Sequence, residues 1–229
     1  MFPFGELADV WWNTDGPLAA LHRLNKARMA IIRHAFGGAK GLSGKTVLDI
    51  GCGCGLAAES LARLGAHVVA IDTDARLIRA ARTHAAQSGL SIAYRRMDIE
   101  DVAGTFDLVL LLEVLEHADD PALLIKQAAS RLAPGGKIII ATVSRTFRSW
   151  ALGIIMAEYL LGWIPKGTHD WRKFQRPSDI IPLLEAAGLV PEAPLGLVFM
   201  PEDGTWREDG ENLSANWIVV AKRPEAKPR

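Results

Sequence analysis

The most informative segment of the 229-residue sequence reads Val47-Leu48-Asp49-Ile50-Gly51-Cys52-Gly53-Cys54-Gly55. Residues 46–50 form an apolar run that is typical of a buried strand. The glycines that follow let the backbone turn tightly and approach a ligand closely. A helical pattern comes next, over residues 56–64, and closes near Gly65. The segment therefore predicts the first strand, loop and helix of an α/β domain.

Short apolar runs and helical patterns alternate along the chain after this segment. The predicted strands cover residues 67–71, 91–95, 106–112 and 137–142, and the predicted helices cover 74–88 and 121–132. This β-α-β-α order predicts a parallel sheet that is covered on both faces. Ligands of such sheets bind at the carboxyl ends of the strands, where the strand order reverses.

The ends of the chain add further elements to this alternation. We expect a helix over residues 17–36 before the sheet, and a helix over 177–187 after it. Residues 195–200 and 212–221 read as closing strands, the last of them antiparallel at an edge. The pattern predicts a Rossmann-like α/β fold with a seven-stranded, mostly parallel sheet and an antiparallel C-terminal strand.

Composition narrows the classes of partner. The chain has 26 lysines and arginines and 26 aspartates and glutamates, so its net charge is zero. Because no overall positive charge attracts nucleic acid, we expect no nucleic-acid partner. The N-terminus has no signal-peptide pattern, and no stretch reaches the ~18 uncharged apolar residues of a spanning helix. The two cysteines lie in the glycine loop, where they are poor disulfide partners and suit a reducing cytoplasm.

The spacing of the loop glycines indicates the ligand. A dinucleotide fingerprint has the spacing G-x-G-x-x-G, whereas this loop is G-x-G-x-G with Leu56 at the third dinucleotide position. That spacing resembles the first motif of class I methyltransferases, in which the loop meets the amino-acid part of S-adenosylmethionine. Asp72, just after the second strand, can accept hydrogen bonds from ribose hydroxyls, although NAD enzymes use such an acid too. A plain glycine turn with Asp72 as a helix cap is the structural alternative.

Several longer stretches resemble the UbiG family of ubiquinone-biosynthesis O-methyltransferases. The matching stretches are Trp11-Trp12, Leu21-His22-Arg23-Leu24-Asn25 with Arg28, residues 47–55, residues 106–117, Ala157-Glu158-Tyr159 and Pro165-Lys166-Gly167-Thr168-His169-Asp170-Trp171. They cover most of the chain. The Leu-His-Arg-Leu-Asn and Pro-Lys-Gly-Thr-His-Asp segments are much more specific than the glycine loop. The sequence departs from the family at Cys54, where glycine is usual, and matches it only loosely over residues 195–216.

The resemblance implies a Rossmann-like class I methyltransferase that carries out two O-methylations, one on a polyprenyl catechol and one on a demethylubiquinol. It implies S-adenosylmethionine as cofactor, with Arg28, Gly51, Asp72 and Leu112 in its site. Arg28 can reach the cofactor carboxylate with a charge-assisted bond. The candidate cofactor-binding residues are Arg28, Asp49, Gly51, Gly53, Gly55, Asp72, Asp98 and Leu112. In this set Asp49 either orients the loop or approaches the cofactor's amino end, and Asp98 either lies near the adenine or is an ordinary loop carboxylate.

Glu113, Glu116 and His117 follow the strand over residues 106–112 and form the candidate chemical centre. On one helical turn, Glu113 would face both of the others. Three roles remain open: ligands of a divalent metal ion, as the family resemblance suggests; a metal-free general base at His117; or a structural cap. Magnesium prefers oxygen ligands, whereas manganese or zinc also accepts a histidine.

Residues 147–164 carry few charges, with tryptophans near both ends and basic flanks. This composition predicts a helix in an anionic membrane interface that admits a lipophilic quinone precursor, and an ordinary buried helix or lid is the alternative. We therefore expect one domain over residues 1–229, with an N-terminal helical cap (1–40) and a hydrophobic insertion (145–173). The protein would be cytoplasmic, peripheral to the inner face of the membrane, and able to associate with other quinone-pathway enzymes.

Three other functions compete with the quinone-pathway O-methyltransferase. A methyltransferase acting on a soluble small-molecule phenol disagrees with the apolar insertion. A non-enzymatic nucleoside-binding or regulatory protein would not need the acidic and histidine side chains at residues 113–117. An NAD-dependent oxidoreductase is disfavoured by Leu56 in place of a glycine.

Overall fold

The computed structural model describes residues 4–144 and 174–225. The predicted insertion over residues 145–173, including the apolar segment 147–164, lies outside the described residues.

A mixed sheet forms the centre of the fold. Its strands are β1 (Thr46–Ile50), β2 (His67–Asp72), β3 (Ala93–Arg96), β4 (Phe106–Leu112), β5 (Leu132–Val143), β6 (Val190–Pro191), β7 (Leu195–Met200), β8 (Thr205–Asp209) and β9 (Asn216–Lys222). The helices are α1 (Ala19–Ala35), α2 (Leu56–Ala62), α3 (Ala75–Gln87), α4 (Pro121–Ser130) and α5 (Pro177–Ala186). Short 3-10 helices cover Phe4–Val10, Ala39–Gly41, Ile99–Asp101 and Leu115–His117.

The order of the strands sets where the site lies. The sheet runs β3-β2-β1-β4-β5-β9-β7-β8, and β6 pairs with β9. Strands β1 to β5 are mutually parallel, while β9 is antiparallel to β5 and β7. The order reverses between β1 and β4, whose carboxyl ends are adjacent because Ile50 pairs with Leu111. The segments after Ile50 and after Leu112 therefore meet at the switch point, where such sheets bind their ligands.

The sheet is buried on both faces. Val47 and Leu48 point to opposite faces of β1, and both are fully buried. On the Val47 face the core includes side chains of α1, α2 and α3, and on the Leu48 face it includes side chains of α4 and α5. This explains why the parallel strands read as continuous apolar runs in the sequence.

The predicted fold class is confirmed, with differences at the edge of the sheet. The bounds of β1, β4 and β7 are those predicted, whereas the described sheet has nine strands rather than seven. Strand β8 was missed because Thr-Trp-Arg-Glu-Asp is largely exposed and carries no apolar alternation. Strand β5 begins at Leu132, before the predicted strand over residues 137–142, and includes Pro134-Gly135-Gly136, where the pairing with β4 shifts register.

Within residues 4–144 and 174–225, no helix is long and apolar enough to cross a membrane.

Candidate active site

The glycine loop is drawn tightly against its neighbours. Gly51 and Gly55 have φ values of 66° and 89°, a region that other residues rarely adopt. A Cβ on Gly51 would lie 2.7 Å from Cγ2 of Val114, and a Cβ on Gly55 would overlap the hydroxyl group of Tyr94. Both glycines are therefore required by backbone conformation and by close packing.

Cys54, the departure from the family pattern, fits this loop without strain. Its φ is negative, so a side chain is tolerated. The side chain is fully buried and belongs to a small apolar cluster with Trp11, Leu18 and Leu77. Burial raises the pKa of the Cys54 thiol to about 12 and raises that of Cys52 as well. The two cysteines are neutral packing residues, as the sequence suggested.

Asp72 is fixed beside the loop by two backbone N–H groups. Gly53 N donates to Oδ2 over 3.0 Å, and Asp74 N donates to Oδ1 over 2.9 Å. Burial raises the pKa of Asp72 despite these bonds. Each carboxylate oxygen has a second acceptor position, so the side chain can still take two hydroxyl donors. The position and the remaining acceptors fit the ribose of a nucleoside.

Asp49 lies beneath the loop and is almost completely buried. Burial raises its pKa from 3.8 to about 7, and the charge of Asp72 adds to the increase. Its Oδ2 has no hydrogen-bond partner among the described residues. A buried acceptor without a partner is costly, by roughly 1–3 kcal/mol, so this atom is a natural site for a donor from a ligand.

Arg28 and Glu113 connect α1 to the switch point. Arg28 is only 3% exposed, and its Nη2 forms an ion pair with Oε1 of Glu113. Its Nε, however, has no acceptor within the part of the chain that the structure describes. Glu113 has a φ of 59° and is the non-glycine residue with a positive φ in that same part. Such strain is typical of functional sites, where surrounding contacts hold the backbone.

Glu113 does not lie on one helical turn with Glu116 and His117, the arrangement considered from the sequence. A 3-10 helix begins only at Leu115 and ends at His117. The left-handed backbone at Glu113 nevertheless brings its carboxyl group to that of Glu116. Burial and the charge of Glu113 raise the pKa of Glu116 well above its usual range. Thr142, on β5, donates to Glu116 Oε2 over 2.9 Å, a contact that the sequence did not reveal.

Glu113, Glu116 and His117 do not assemble as the metal hypothesis requires. No three His, Cys, Asp or Glu side chains are grouped as potential metal ligands within residues 4–144 and 174–225. Glu113 is engaged with Arg28, and the raised pKa of Glu116 favours its protonated form. His117 is half-buried in the 3-10 helix. The arrangement therefore fits acid–base chemistry better than a preformed metal site.

The two remaining predicted residues lie at strand ends. Leu112 is the last residue of β4, is half-buried and pairs with Ala141. Asp98 follows β3, is exposed and accepts a hydrogen bond from Ile99 N over 2.6 Å, which makes it the N-cap of a short 3-10 helix. Leu112 borders the switch point directly, whereas Asp98 already has a structural role.

Some buried polar atoms near the loop lack a partner in the described part of the chain. Among them are the donors Nε1 of Trp11 and Nε of Arg28 and the acceptor Oδ2 of Asp49. Buried polar atoms are nearly always hydrogen-bonded, so these atoms are candidates for contact with a ligand. Two donors and one acceptor suit a molecule that carries a carboxylate, an ammonium group and hydroxyls, as S-adenosylmethionine does.

Comparisons with known proteins agree with this geometry. A methyltransferase-domain family matches residues 21–193. The chain is 42% identical to a ubiquinone biosynthesis O-methyltransferase of Methylobacterium sp. (strain 4-46), over 97% of this chain and 94% of that protein. It is 45% identical to the protein of that name from Methylocella silvestris, over 96% of this chain and 92% of the relative.

Solved structures support the fold. The magnesium protoporphyrin IX methyltransferase of Synechocystis PCC 6803 with bound SAH (S-adenosylhomocysteine) matches with a TM-score of 0.67 at 21% identity, over 90% of this chain and 84% of that one. A plantazolicin methyltransferase with bound SAH also has a TM-score of 0.67, at 14% identity, over 96% of this chain and 90% of that one. The fold, the glycine loop and the full-length relatives confirm the resemblance: the chain belongs to the family of ubiquinone biosynthesis O-methyltransferases.

Proposed function

We propose that the protein is an S-adenosylmethionine-dependent O-methyltransferase of ubiquinone biosynthesis. Its acceptors are the phenolic hydroxyls of polyprenyl catechol and demethylubiquinol intermediates. The observation that carries the proposal is the meeting, at one switch point, of a nucleoside-type loop with the neighbouring carboxyl groups of Glu113 and the buried Glu116. Relatives named for ubiquinone biosynthesis, which match over more than 90% of their length, support the choice of acceptor.

The cofactor, when bound, supplies a methyl group on a sulfonium for direct displacement. Arg28 binds its carboxylate through the unpartnered Nε, and Asp49 receives its ammonium group at Oδ2. Asp72, held by Gly53 and Asp74, accepts the ribose hydroxyls. Gly51 and Gly55 let the loop adopt its positive-φ turns while packed closely against Val114 and Tyr94, which holds the loop beside Asp72.

The acceptor phenol must lose its proton as the new O–CH3 bond forms. A phenol titrates near ~10, so most of it is neutral at physiological pH and needs a base. We assign His117 as the general base that takes the phenol proton, and Glu116, in its protonated form, as the group that orients the acceptor through a hydrogen bond. Thr142 fixes Glu116 from β5, which keeps the carboxyl group at the carboxyl end of the sheet.

A divalent ion at Glu113, Glu116 and His117 remains a separate prediction. The described geometry does not fit it, because Glu113 would have to leave Arg28 and Glu116 would have to lose its proton. No step of the chemistry above goes through a metal. Turnover measured with and without a chelator, on protein dialysed against that chelator, distinguishes the two schemes.

Residues 147–164 support a lipophilic acceptor rather than a soluble phenol. The segment is apolar, with tryptophans and basic residues near its ends, as interfacial helices are. We propose that it contacts anionic membrane at the inner face and admits the substrate there. Vesicle co-sedimentation tests this: binding to anionic but not neutral liposomes, lost on deletion of residues 147–164, is expected. Equal binding by the deletion variant would contradict it.

The decisive assay for function follows methyl transfer from labelled S-adenosylmethionine to a short-chain prenyl catechol. A catechol without the prenyl chain is the matched control. We expect kcat/KM to be at least tenfold higher for the prenylated acceptor, since burial of each methylene contributes about 0.8 kcal/mol. Equal rates on both would favour the soluble-phenol alternative.

A further inference from the structure

Trp11 lies against the glycine loop from the N-terminal side. It follows the 3-10 helix Phe4–Val10 and is only 7% exposed. A Cβ added at Gly53 would lie 3.0 Å from Cζ2 and 3.2 Å from Cη2 of the indole ring. The ring therefore forms a wall of the loop at its middle glycine.

The orientation of the indole ring places its N–H group beside the loop. The atoms nearest to Gly53 are Cζ2, Cη2 and Cε2, which lie on or next to the long edge of the ring that also carries Nε1. This Nε1 is buried and has no acceptor among residues 4–144 and 174–225. Tryptophan N–H groups usually find a partner when buried, so the free donor beside a ligand loop calls for a ligand acceptor.

Neighbouring contacts hold Trp11 in place without using its N–H group. His22 Nε2 donates to the Trp11 carbonyl oxygen over 2.8 Å. The next residue, Trp12, stacks on His84 with ring centroids 3.5 Å apart and planes 3° from parallel. His84 Nδ1 in turn donates to the fully buried carboxylate of Glu59 over 2.7 Å. The indole is thus positioned in advance, with its donor left available.

We propose that Trp11 is a cofactor-binding residue whose Nε1–H donates to a ribose hydroxyl oxygen of the cofactor. We infer the ribose as the acceptor because Gly53, which the indole contacts, donates its N–H to Asp72, the acid assigned to the ribose hydroxyls. This inference rests on the assignment of S-adenosylmethionine as cofactor and is independent of the quinone acceptor.

Isothermal titration of the full-length protein with SAH, and with its 2′,3′-dideoxy analogue, tests the assignment. Trp11→Phe keeps an aromatic ring and removes the donor. We expect it to weaken SAH binding about fivefold, the effect of one ordinary hydrogen bond, and to change binding of the dideoxy analogue by less than about twofold. No methyl acceptor is present, so a wrong acceptor assignment cannot affect the result.

Trp206→Phe is the matched control, because Nε1 of Trp206 is also buried and unpartnered in the described chain but lies on β8, at the far edge of the sheet. Its affinity for both ligands should equal that of the wild type. Unchanged SAH affinity in Trp11→Phe would overturn the proposal. So would an equal loss for both ligands, which would indicate a loosened N-terminal segment rather than a lost bond to a hydroxyl.

Discussion

Arg28 in α1 and Glu113 at the end of β4 form an ion pair across 85 residues of sequence, and the arginine is nearly fully buried. The pair joins the N-terminal helix to the switch point of the sheet. A cofactor carboxylate that binds Arg28 therefore has two possible positions. It contacts Nε while Glu113 stays on Nη2, or it displaces Glu113 from the guanidinium group. Cofactor binding and the position of Glu113 are coupled in either case.

Separate substitutions in this pair should affect different properties, cofactor binding in one case and stability in the other. Arg28→Lys removes Nε and should weaken SAH binding roughly tenfold to hundredfold, since a charge-assisted bond contributes about 1.5–3 kcal/mol. Glu113→Gln leaves the buried Arg28 without a counter-ion and should lower the free energy of unfolding by about 3 kcal/mol. Titration calorimetry and urea unfolding measure the two effects.

The ligand should restore much of the stability that Glu113→Gln loses, because its carboxylate then neutralises Arg28. The rise in melting temperature on adding saturating SAH is expected to be larger for Glu113→Gln than for wild type. Equal rises in the two proteins would show that the carboxylate does not reach Arg28.

Glu116 should be required for turnover but not for cofactor binding. Glu116→Ala is expected to lower kcat about 100-fold because the acceptor is no longer oriented, with the Kd for SAH within about threefold of wild type. Glu116→Gln should keep kcat within about tenfold of wild type and keep stability, because glutamine can still accept from Thr142 and donate to Glu113. A 100-fold loss of kcat in Glu116→Gln would show instead that Glu116 must ionise during turnover.

The sequence predicted the centre of the fold better than its edge, for a physical reason. Strands buried on both faces, such as β1 and β4, must be continuously apolar, and this pattern is visible in a single sequence. Strand β8 is exposed and pairs through its backbone with β7, so its side chains carry no signal. Strand β6 is only two residues long, which is too short to produce a recognisable sequence pattern.

The candidate site was also predictable from the sequence only in part. Asp49, Asp72 and the loop glycines follow from strand ends and spacing, and the structure places them together. The left-handed backbone at Glu113 could not be predicted, since it depends on contacts with residues distant in sequence. The role of Trp11 was equally hidden, because it appeared in the sequence only as part of a family match.

Cys54→Gly should show whether Cys54 contributes to cofactor binding or only to packing of the loop. The substitution restores the usual family residue and removes a fully buried side chain from the cluster with Trp11 and Leu77. Stability should fall by about 1–2 kcal/mol, from the lost burial and the added freedom of glycine. SAH affinity should stay within about twofold, as measured by calorimetry. A large loss of affinity at unchanged stability would instead place the Cys54 thiol in contact with the cofactor.

Cofactor affinity should rise with pH because of Asp49. Burial raises the pKa of this carboxyl from 3.8 to about 7, so it is largely neutral in the free protein below that pH. The ammonium group of SAH favours the ionised form, so binding should displace a proton. The affinity for SAH should therefore rise up to about tenfold per pH unit below pH ~7 and level off above it.

The stability of the protein without ligand should depend on pH in the opposite direction. The stabilising effect of the Asp49 proton is present below the unfolded pKa and is lost as pH rises through about 7.

Asp49→Asn should remove both pH dependences and weaken binding at pH ~8. Calorimetry at pH ~6 in two buffers of different ionisation enthalpy should show close to one proton released by wild type and none by Asp49→Asn, and a flat pH profile for wild type would separate Asp49 from the ammonium group.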